Sequence, residues 1–199
     1  MVKKQNLNNY EKILKFILEN NSNSFSIKQI SEKLKIDYKN THSAIEKIKD
    51  SITFNKVGKS KFIQFDFKLT PLVFKIEKFR LNDILKNTDL DLMIADIERI
   101  SHPFIIILLF GSFIKKINTK YSDIDLCIIS NNKSIKTKLI EHLKMFPLNL
   151  EMHEFTTIEF TSMLKSPENN LGKEIVKNNI ILFGIENYYH LVSKWMNLK

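Results

Sequence analysis

The chain has 199 residues, of which 43% are hydrophobic and 27% are charged, and its formal net charge is +9. Its single cysteine, Cys127, excludes a disulfide framework and a multi-cysteine zinc site. The longest apolar run, residues 104–110, is much too short to span a bilayer. The sequence therefore predicts a globular, cytoplasmic protein with no membrane partner and with room for one large or two small domains.

The positive charge is concentrated in the first third of the chain. Residues 1–68 contain 14 lysines and seven acidic residues, a net charge of +7, whereas the remaining residues have a net charge of only +2. A polyanion such as nucleic acid would be attracted most strongly to this first segment.

Three helices are predicted within this basic segment. Apolar residues at helical spacing predict the first helix over residues 9–20. The pattern Ser-x-x-Gln beginning at Ser26 is a capping box and opens a second, shorter helix. Asp37 caps a third helix, which is expected to extend to about Asp50.

A β-hairpin is predicted directly after the third helix. Its strands are residues 52–56 and 61–67, and Gly58 supplies the permissive backbone of the turn between them. Three helices followed by a hairpin resemble the winged helix-turn-helix domain of DNA-binding regulators, and the resemblance covers residues 6–68.

The resemblance implies a DNA-binding surface. In that family the third helix enters the major groove and the hairpin contacts the phosphate backbone. The residues that the resemblance places against DNA are Tyr38, Lys39, Asn40, His42, Ser43 and Lys47 on the third helix and Lys56, Lys59 and Lys61 on the hairpin. Asn40 is the best candidate for reading a base, because no arginine is among them. The alternative is a domain that docks another protein, with the lysines forming a solvated surface.

Two helices are predicted to connect this segment to the rest of the chain. Thr70 and Pro71 are typical of a helix start, and a second helix is expected over residues 90–100. No flexible linker separates the two halves. The predicted domains are a winged helix at 1–68, a helical connector at 69–100 and a further domain at 101–199.

The residues with the clearest chemistry lie between two apolar strands of that further domain. The first strand, residues 104–110, leads directly into the Gly-Ser pair at 111–112. After a short helix, an Asp-x-Asp sequence at 123–125 leads into a second apolar strand at 126–129.

Each of these residue types suits a triphosphate site. Gly111 lacks a Cβ, so the backbone there can come close to a triphosphate. Ser112 can donate its hydroxyl and its backbone N–H to a phosphate oxygen. Asp123 and Asp125, two residues apart, are expected to share one face of a strand and to repel unless a divalent cation neutralises them. Metal-assisted phosphoryl or nucleotidyl transfer requires this arrangement.

The segments 110–113 and 122–126 resemble the motif of the DNA polymerase beta nucleotidyltransferase superfamily, most closely its small prokaryotic branch, the minimal nucleotidyltransferases. The resemblance extends over about residues 90–195. It implies an α+β protein whose C-terminal domain has a mixed β-sheet flanked by helices. It also implies a nucleoside triphosphate substrate bound at Gly111 and Ser112, with Mg²⁺ as the cofactor.

The family adds a third carboxylate from a neighbouring strand. Residues 148–155 alternate as a strand on which Glu151 points away from the buried face, and pairing would bring it beside Asp125. Glu151 is therefore assigned as the third acid and general base, and Glu154 is the alternative. His153 shares the predicted face of Glu151 and is a candidate for lining the pocket. The resulting set of catalytic and metal-binding residues is Asp123, Asp125 and Glu151.

The sequence thus predicts a Mg²⁺-dependent nucleotidyltransferase that transfers a nucleoside monophosphate from a triphosphate to a protein or nucleic-acid hydroxyl. A DNA-binding winged helix would accompany it. The alternative hypothesis is a DNA-binding transcriptional regulator or antitoxin whose nucleotidyltransferase-like domain is not catalytic. Acceptors in this branch include protein side chains and RNA ends, so a protein partner, like an oligomer, is left open.

Overall fold

A computed structural model of the chain describes residues 6–58, 60–85, 88–100, 104–114 and 123–196. Its contacts divide the chain into two compact units, residues 1–76 and 77–199. The domain bounds derived from the sequence remain predictions. In the part of the chain that the structure describes, no helix has the length and apolar character needed to cross a membrane.

The first unit begins with the three predicted helices. They are α1 (Asn9–Glu19), α2 (Ile27–Leu34) and α3 (Tyr38–Glu46). The capping box at Ser26 is confirmed, because its side chain accepts from the Gln29 backbone while the Gln29 side chain accepts from Ser26. Asp37 caps α3 as predicted, by accepting from the backbone N–H groups of the next turn.

The prediction that α3 extends to Asp50 is wrong by one turn. The backbone N–H groups of Lys47 and Ile48 bond carbonyls three residues earlier, which tightens the chain and ends the α-helix. A short 3₁₀ turn, Lys49–Ser51, follows. The Ser51 hydroxyl lies 2.8 Å from that of Thr70 and joins this turn to the start of the next helix.

A three-stranded antiparallel sheet completes the first unit. It consists of β1 (Phe25–Ser26), β2 (Ile52–Val57) and β3 (Ser60–Phe65), in the order β1-β3-β2. Gly58 adopts a left-handed φ of 60° in the hairpin turn, as its sequence position predicts. The sequence did not predict β1, because two residues are too few to show strand alternation.

The second unit surrounds a four-stranded mixed sheet. Its strands are β4 (Ile106–Phe110), β5 (Ile124–Ile129), β6 (Leu150–Phe155) and β7 (Asn179–Phe183), in the order β6-β5-β4-β7. The β5–β6 pair is parallel and the other pairs are antiparallel. The prediction of an α+β chain with a mixed sheet is confirmed. The strand predicted from Phe104 begins two residues later, and Phe104 itself is 74% exposed.

Six helices accompany these strands in the described residues. They are α4 (Pro71–Ile84), α5 (Thr88–Ile100), α6 (Lys133–Leu143), α7 (Thr157–Lys165), α8 (Leu171–Lys177) and α9 (Ile185–Met196). Buried residues of β4 and β5 form the centre of the core, with apolar side chains from α5 and α6 packed against them. The burial of β4 at every position explains its unbroken run of Ile, Leu and Phe.

A buried polar network joins α4 to β7 and α9. Arg80 is 5% exposed, and its guanidinium donates to Glu77 at 2.6 Å and to the backbone carbonyl of Asn179 at 2.6 Å. The hydroxyl of Tyr189 donates to the other oxygen of Glu77 at 2.7 Å. The side-chain amide of Asn179 donates to the hydroxyl of Tyr188 at 2.9 Å. The network therefore holds Asn179, the first residue of β7, in place.

Tyr189→Phe should lower the stability of the second unit by about 2 kcal/mol, because Glu77 loses one of its buried charge-assisted hydrogen bonds. Trp195 is the single tryptophan of the chain and lies in α9, so its fluorescence during urea unfolding reports on this unit. Tyr10→Phe, in the first unit, is the matched control and should leave that transition unchanged. An unchanged transition in Tyr189→Phe would contradict the role of the network.

Candidate active site

The β5–β6 register brings two of the predicted acids together. Asp125 and Glu151 are direct partners in the parallel ladder, and His153 follows two residues later on β6. Among the described residues, these three form a group whose ligand atoms all lie within 4.8 Å of one another. His153 Nε2 lies 3.3 Å from a carboxylate oxygen of Glu151. The prediction that strand pairing would place Glu151 beside Asp125 matches this geometry.

Gly111 lies directly against Asp125. Its φ is +78°, in the left-handed region, and a Cβ built on it would lie 1.8 Å from Asp125 Oδ2. The backbone N–H of Ser112 donates to the Asp125 carboxylate. A side chain at position 111 would therefore displace the carboxylate. Glycine is favoured at this position both because it leaves room for the carboxylate and because it adopts the left-handed φ without strain.

The environment of Asp125 opposes its ionisation. Burial is the main cause that raises the pKa of its carboxyl group, and the negative charges of Glu151 and Asp123 raise it further. His153 and the Ser112 N–H act in the opposite direction but do not cancel the increase. A bound cation would remove this electrostatic cost. The uncompensated negative charge of the site therefore favours a divalent metal.

The convergence of Asp123 with Asp125 stays a prediction, and the charge of Asp123 is one cause of the raised pKa of Asp125. Asp123 precedes the first residue of β5, is exposed, and lies outside the group formed by Asp125, Glu151 and His153. Its carboxylate accepts a hydrogen bond from the side-chain amide of Asn149. Strand alternation begins only at Ile124, so it does not constrain the direction of the Asp123 side chain.

Glu154, the alternative third acid, lies near the other end of the β5–β6 ladder. It is the register partner of Ile128, three residues beyond Asp125, and its carboxylate lies 3.4 Å from Lys136 Nζ. The geometry therefore favours Glu151 over Glu154 as the partner of Asp125.

The nucleotide-binding candidates Gly111 and Ser112 follow β4 directly, as expected. The Ser112 N–H is directed to Asp125, so the prediction that Ser112 donates to a phosphate oxygen now depends on its hydroxyl. The short helix predicted after this pair falls on residues 115–122, which lie outside the described residues.

His153 is the site residue that the sequence prediction left out of the catalytic set. Its signal was the alternation on β6, which puts Glu151 and His153 on one face of the strand. Its ring also packs against that of Phe110, with ring centroids 5.4 Å apart. The residue is thus held from two sides.

The candidate DNA contacts of the first unit are solvent-exposed wherever the structure describes them. On and directly after α3 these residues are Tyr38, Lys39, Asn40, His42, Ser43 and Lys47. On the hairpin, Lys56 and Lys61 are exposed and directly opposite each other in the β2–β3 ladder. The ammonium of Lys61 lies 3.8 Å from the centre of the Phe54 ring. Lys59 lies outside the described residues.

A separate cleft of about 690 Å³ opens near the other end of the β5 strand. It is lined by the loop after β5 together with side chains of α9, including His190 and Leu191. None of the predicted catalytic or nucleotide-binding residues contributes to it.

Comparison with known protein families agrees with the chemistry of this site. Residues 93–188 match the family described as "Polymerase beta, Nucleotidyltransferase", and all residues of the Asp125 site fall within the match. No curated protein and no solved structure matches the chain. Residues 93–188 therefore have the characteristics of the polymerase beta nucleotidyltransferase superfamily, which supports a nucleotidyl-transfer function in general.

Proposed function

We propose that this protein is a divalent-metal-dependent nucleotidyltransferase that transfers a nucleoside monophosphate from a triphosphate to a hydroxyl group. The observation that carries the proposal is the pairing of Asp125 with Glu151 against the backbone of Gly111. This geometry lies within the segment that matches the nucleotidyltransferase family.

The donor set fits a divalent cation. Asp125 and Glu151 offer carboxylate oxygens within 4.8 Å of each other, and burial gives Asp125 an electrostatic reason to bind a cation. Asp125 and Glu151, with Asp123 nearby, would hold Mg²⁺, the ion implied by the family. When bound, the cation would neutralise charge on the triphosphate and on the departing pyrophosphate.

The residues of the chain then have separate tasks. The Ser112 N–H orients the Asp125 carboxylate, and the absence of a side chain at Gly111 leaves the space that this carboxylate occupies. Glu151, whose side chain is 57% exposed, takes the proton of the incoming hydroxyl. The hydroxyl oxygen forms a bond to the α-phosphorus as the bond to the pyrophosphate oxygen breaks.

The direct test incubates the purified chain with each of the four α-labelled triphosphates, Mg²⁺, and cell protein or total RNA as acceptors. Glu151→Gln should lower transfer by about 10²–10⁴-fold, because it removes the general base. Asp96→Asn, at a half-buried pair with His142 outside the site, is the control and should leave transfer unchanged. The absence of labelled product from every combination would contradict the proposal.

We further propose that the first unit is a winged helix that binds DNA. Support comes from its element order, three helices and a terminal hairpin, and from the exposed cationic and polar side chains of α3. Lys56 and Lys61 add a second argument. Like charges directly opposite in a ladder repel, and an adjacent phosphate backbone would relieve that repulsion.

Replacing both hairpin lysines, Lys56→Gln with Lys61→Gln, should weaken DNA binding uniformly across sequences. The slope of log affinity against log salt should fall by about two units, one for each lost phosphate contact. Fluorescence anisotropy with labelled duplexes at several salt concentrations measures both effects. Lys28→Gln is the control, since Lys28 is equally exposed at the start of α2, and an equal loss in this control would contradict a specific role for the hairpin.

One observation favours a second candidate function, a DNA-binding regulator or antitoxin whose nucleotidyltransferase domain is not catalytic. The Asp123 carboxylate accepts a hydrogen bond from the Asn149 side chain and lies outside the group of ligand atoms formed by Asp125, Glu151 and His153. This alternative predicts that the chain binds a triphosphate but transfers none of its phosphorus to any acceptor. Transfer of label from any triphosphate to any acceptor by the unsubstituted chain would contradict this alternative.

A further inference from the structure

His153 lies beside two carboxylates, those of Asp125 and Glu151. Its Nε2 lies 3.3 Å from Glu151, its side chain is 28% exposed, and its ring packs on Phe110. One of its ring nitrogens belongs to the group of ligand atoms shared with Asp125. The donor set of the site is therefore two carboxylates and one imidazole.

An imidazole changes which cation such a site prefers. Mg²⁺ is a hard ion that binds oxygen ligands and retains much of its water, whereas first-row transition ions, including Mn²⁺, accept an imidazole nitrogen more readily than Mg²⁺ does. We propose that His153 is the third protein ligand of the cation and makes the site select Mn²⁺ over Mg²⁺. The inference rests on the proposed function for the role of the site, but its test measures the ion alone.

A second histidine–carboxylate pair lies outside the site and can be compared with the Glu151–His153 contact. His142 Nε2 lies 3.2 Å from Asp96, and its side chain is 30% exposed, which closely matches His153. The carboxylate of Asp96 is also 3.6 Å from the guanidinium of Arg99, so a cationic side chain already accompanies it. His142 thus provides a matched control at a half-buried histidine–carboxylate pair outside the site.

The experiment measures binding of Mn²⁺ to the full chain by electron paramagnetic resonance, with Mg²⁺ as competitor. His153→Gln keeps a neutral oxygen donor of similar reach. It should weaken Mn²⁺ binding by about tenfold or more while changing Mg²⁺ binding much less. His142→Gln should leave both affinities unchanged. An equal loss for both ions, or none, in His153→Gln would overturn the inference.

A spectroscopic measurement on the unsubstituted chain removes any dependence on the folding of the variant. Spin-echo modulation from a coordinated ¹⁴N nucleus should be present for bound Mn²⁺ in the parent chain and in His142→Gln. The absence of this modulation in the parent chain would contradict ligation by His153. Its persistence in a folded His153→Gln variant would do the same.

The results separate this inference from the proposed function. Selective Mn²⁺ binding through His153 without transfer from any triphosphate would contradict the enzyme and leave the metal assignment standing. Transfer activity with unaltered ion selectivity in His153→Gln would contradict the metal assignment and leave the enzyme standing.

Discussion

Asp125→Asn is expected to abolish nucleotidyl transfer while making the metal-free chain more stable. The loss of activity should be about 10²–10³-fold or more, because the amide keeps the shape of the side chain but removes a charge aimed at the cation. The gain in stability follows from the raised pKa of Asp125, which burial and the charge of Glu151 cause. A lower activity together with a higher stability is expected when an active-site residue destabilises the folded chain.

The pH dependence of the stability effect has a definite sign. Because the pKa of Asp125 is raised, the folded chain binds its proton more tightly than the unfolded chain does. The parent chain therefore loses stability as the pH rises through the folded-state pKa, whereas the asparagine variant does not. Urea unfolding with a chelator present, followed by Trp195 fluorescence, should show the variant more stable at neutral pH and the difference shrinking in acid. A less stable variant at neutral pH would contradict this electrostatic account.

Gly111→Ala is expected to disable the site by a steric route. The new Cβ would lie 1.8 Å from Asp125 Oδ2 and 2.7 Å from its Cγ, so the carboxylate or the loop must move. The left-handed φ of +78° adds a backbone cost of about 1–2 kcal/mol. A displacement of this size should lower transfer by about a hundredfold or more. Transfer rates and metal affinity of the folded variant measure the effect.

Gly58→Ala separates the steric effect from the backbone effect. Gly58 has a similar left-handed φ of +60°, but a Cβ there would have nothing within 4 Å. This control should have a comparable backbone cost in stability and retain full transfer activity. Equal transfer activity in the Gly111→Ala variant would show that the close approach to Asp125 has no catalytic importance.

The central part of the site could be predicted from local patterns. The apolar runs of β4 and β5 identified two strands buried in a sheet. Gly111 was predicted to allow the close approach of a triphosphate, and the structure places the Asp125 carboxylate against it. The pairing of Glu151 with Asp125 followed from placing a third strand beside β5. These features depend on residue alternation and on strand spacing, which a single sequence carries.

Other features depend on where each strand begins. Asp123 lies one residue before β5, so strand alternation does not determine the direction of its side chain. Its hydrogen bond depends on Asn149, which directly precedes β6 and is far from Asp123 in the sequence. The short helices α7 and α8 were not predicted, because nine and seven residues show too few turns of helical periodicity. Their capping residues Thr156 and Asn170 were the available signals.

The most direct test of the site is to locate the metal in a crystal of the chain grown with Mn²⁺ and a non-hydrolysable nucleoside triphosphate. Anomalous scattering identifies the ion without reference to activity. We expect an anomalous peak coordinated by the carboxylates of Asp125 and Glu151 and by the imidazole of His153, with triphosphate oxygens among its remaining ligands beside Gly111. A triphosphate bound elsewhere, or a peak that touches neither carboxylate, would contradict the account.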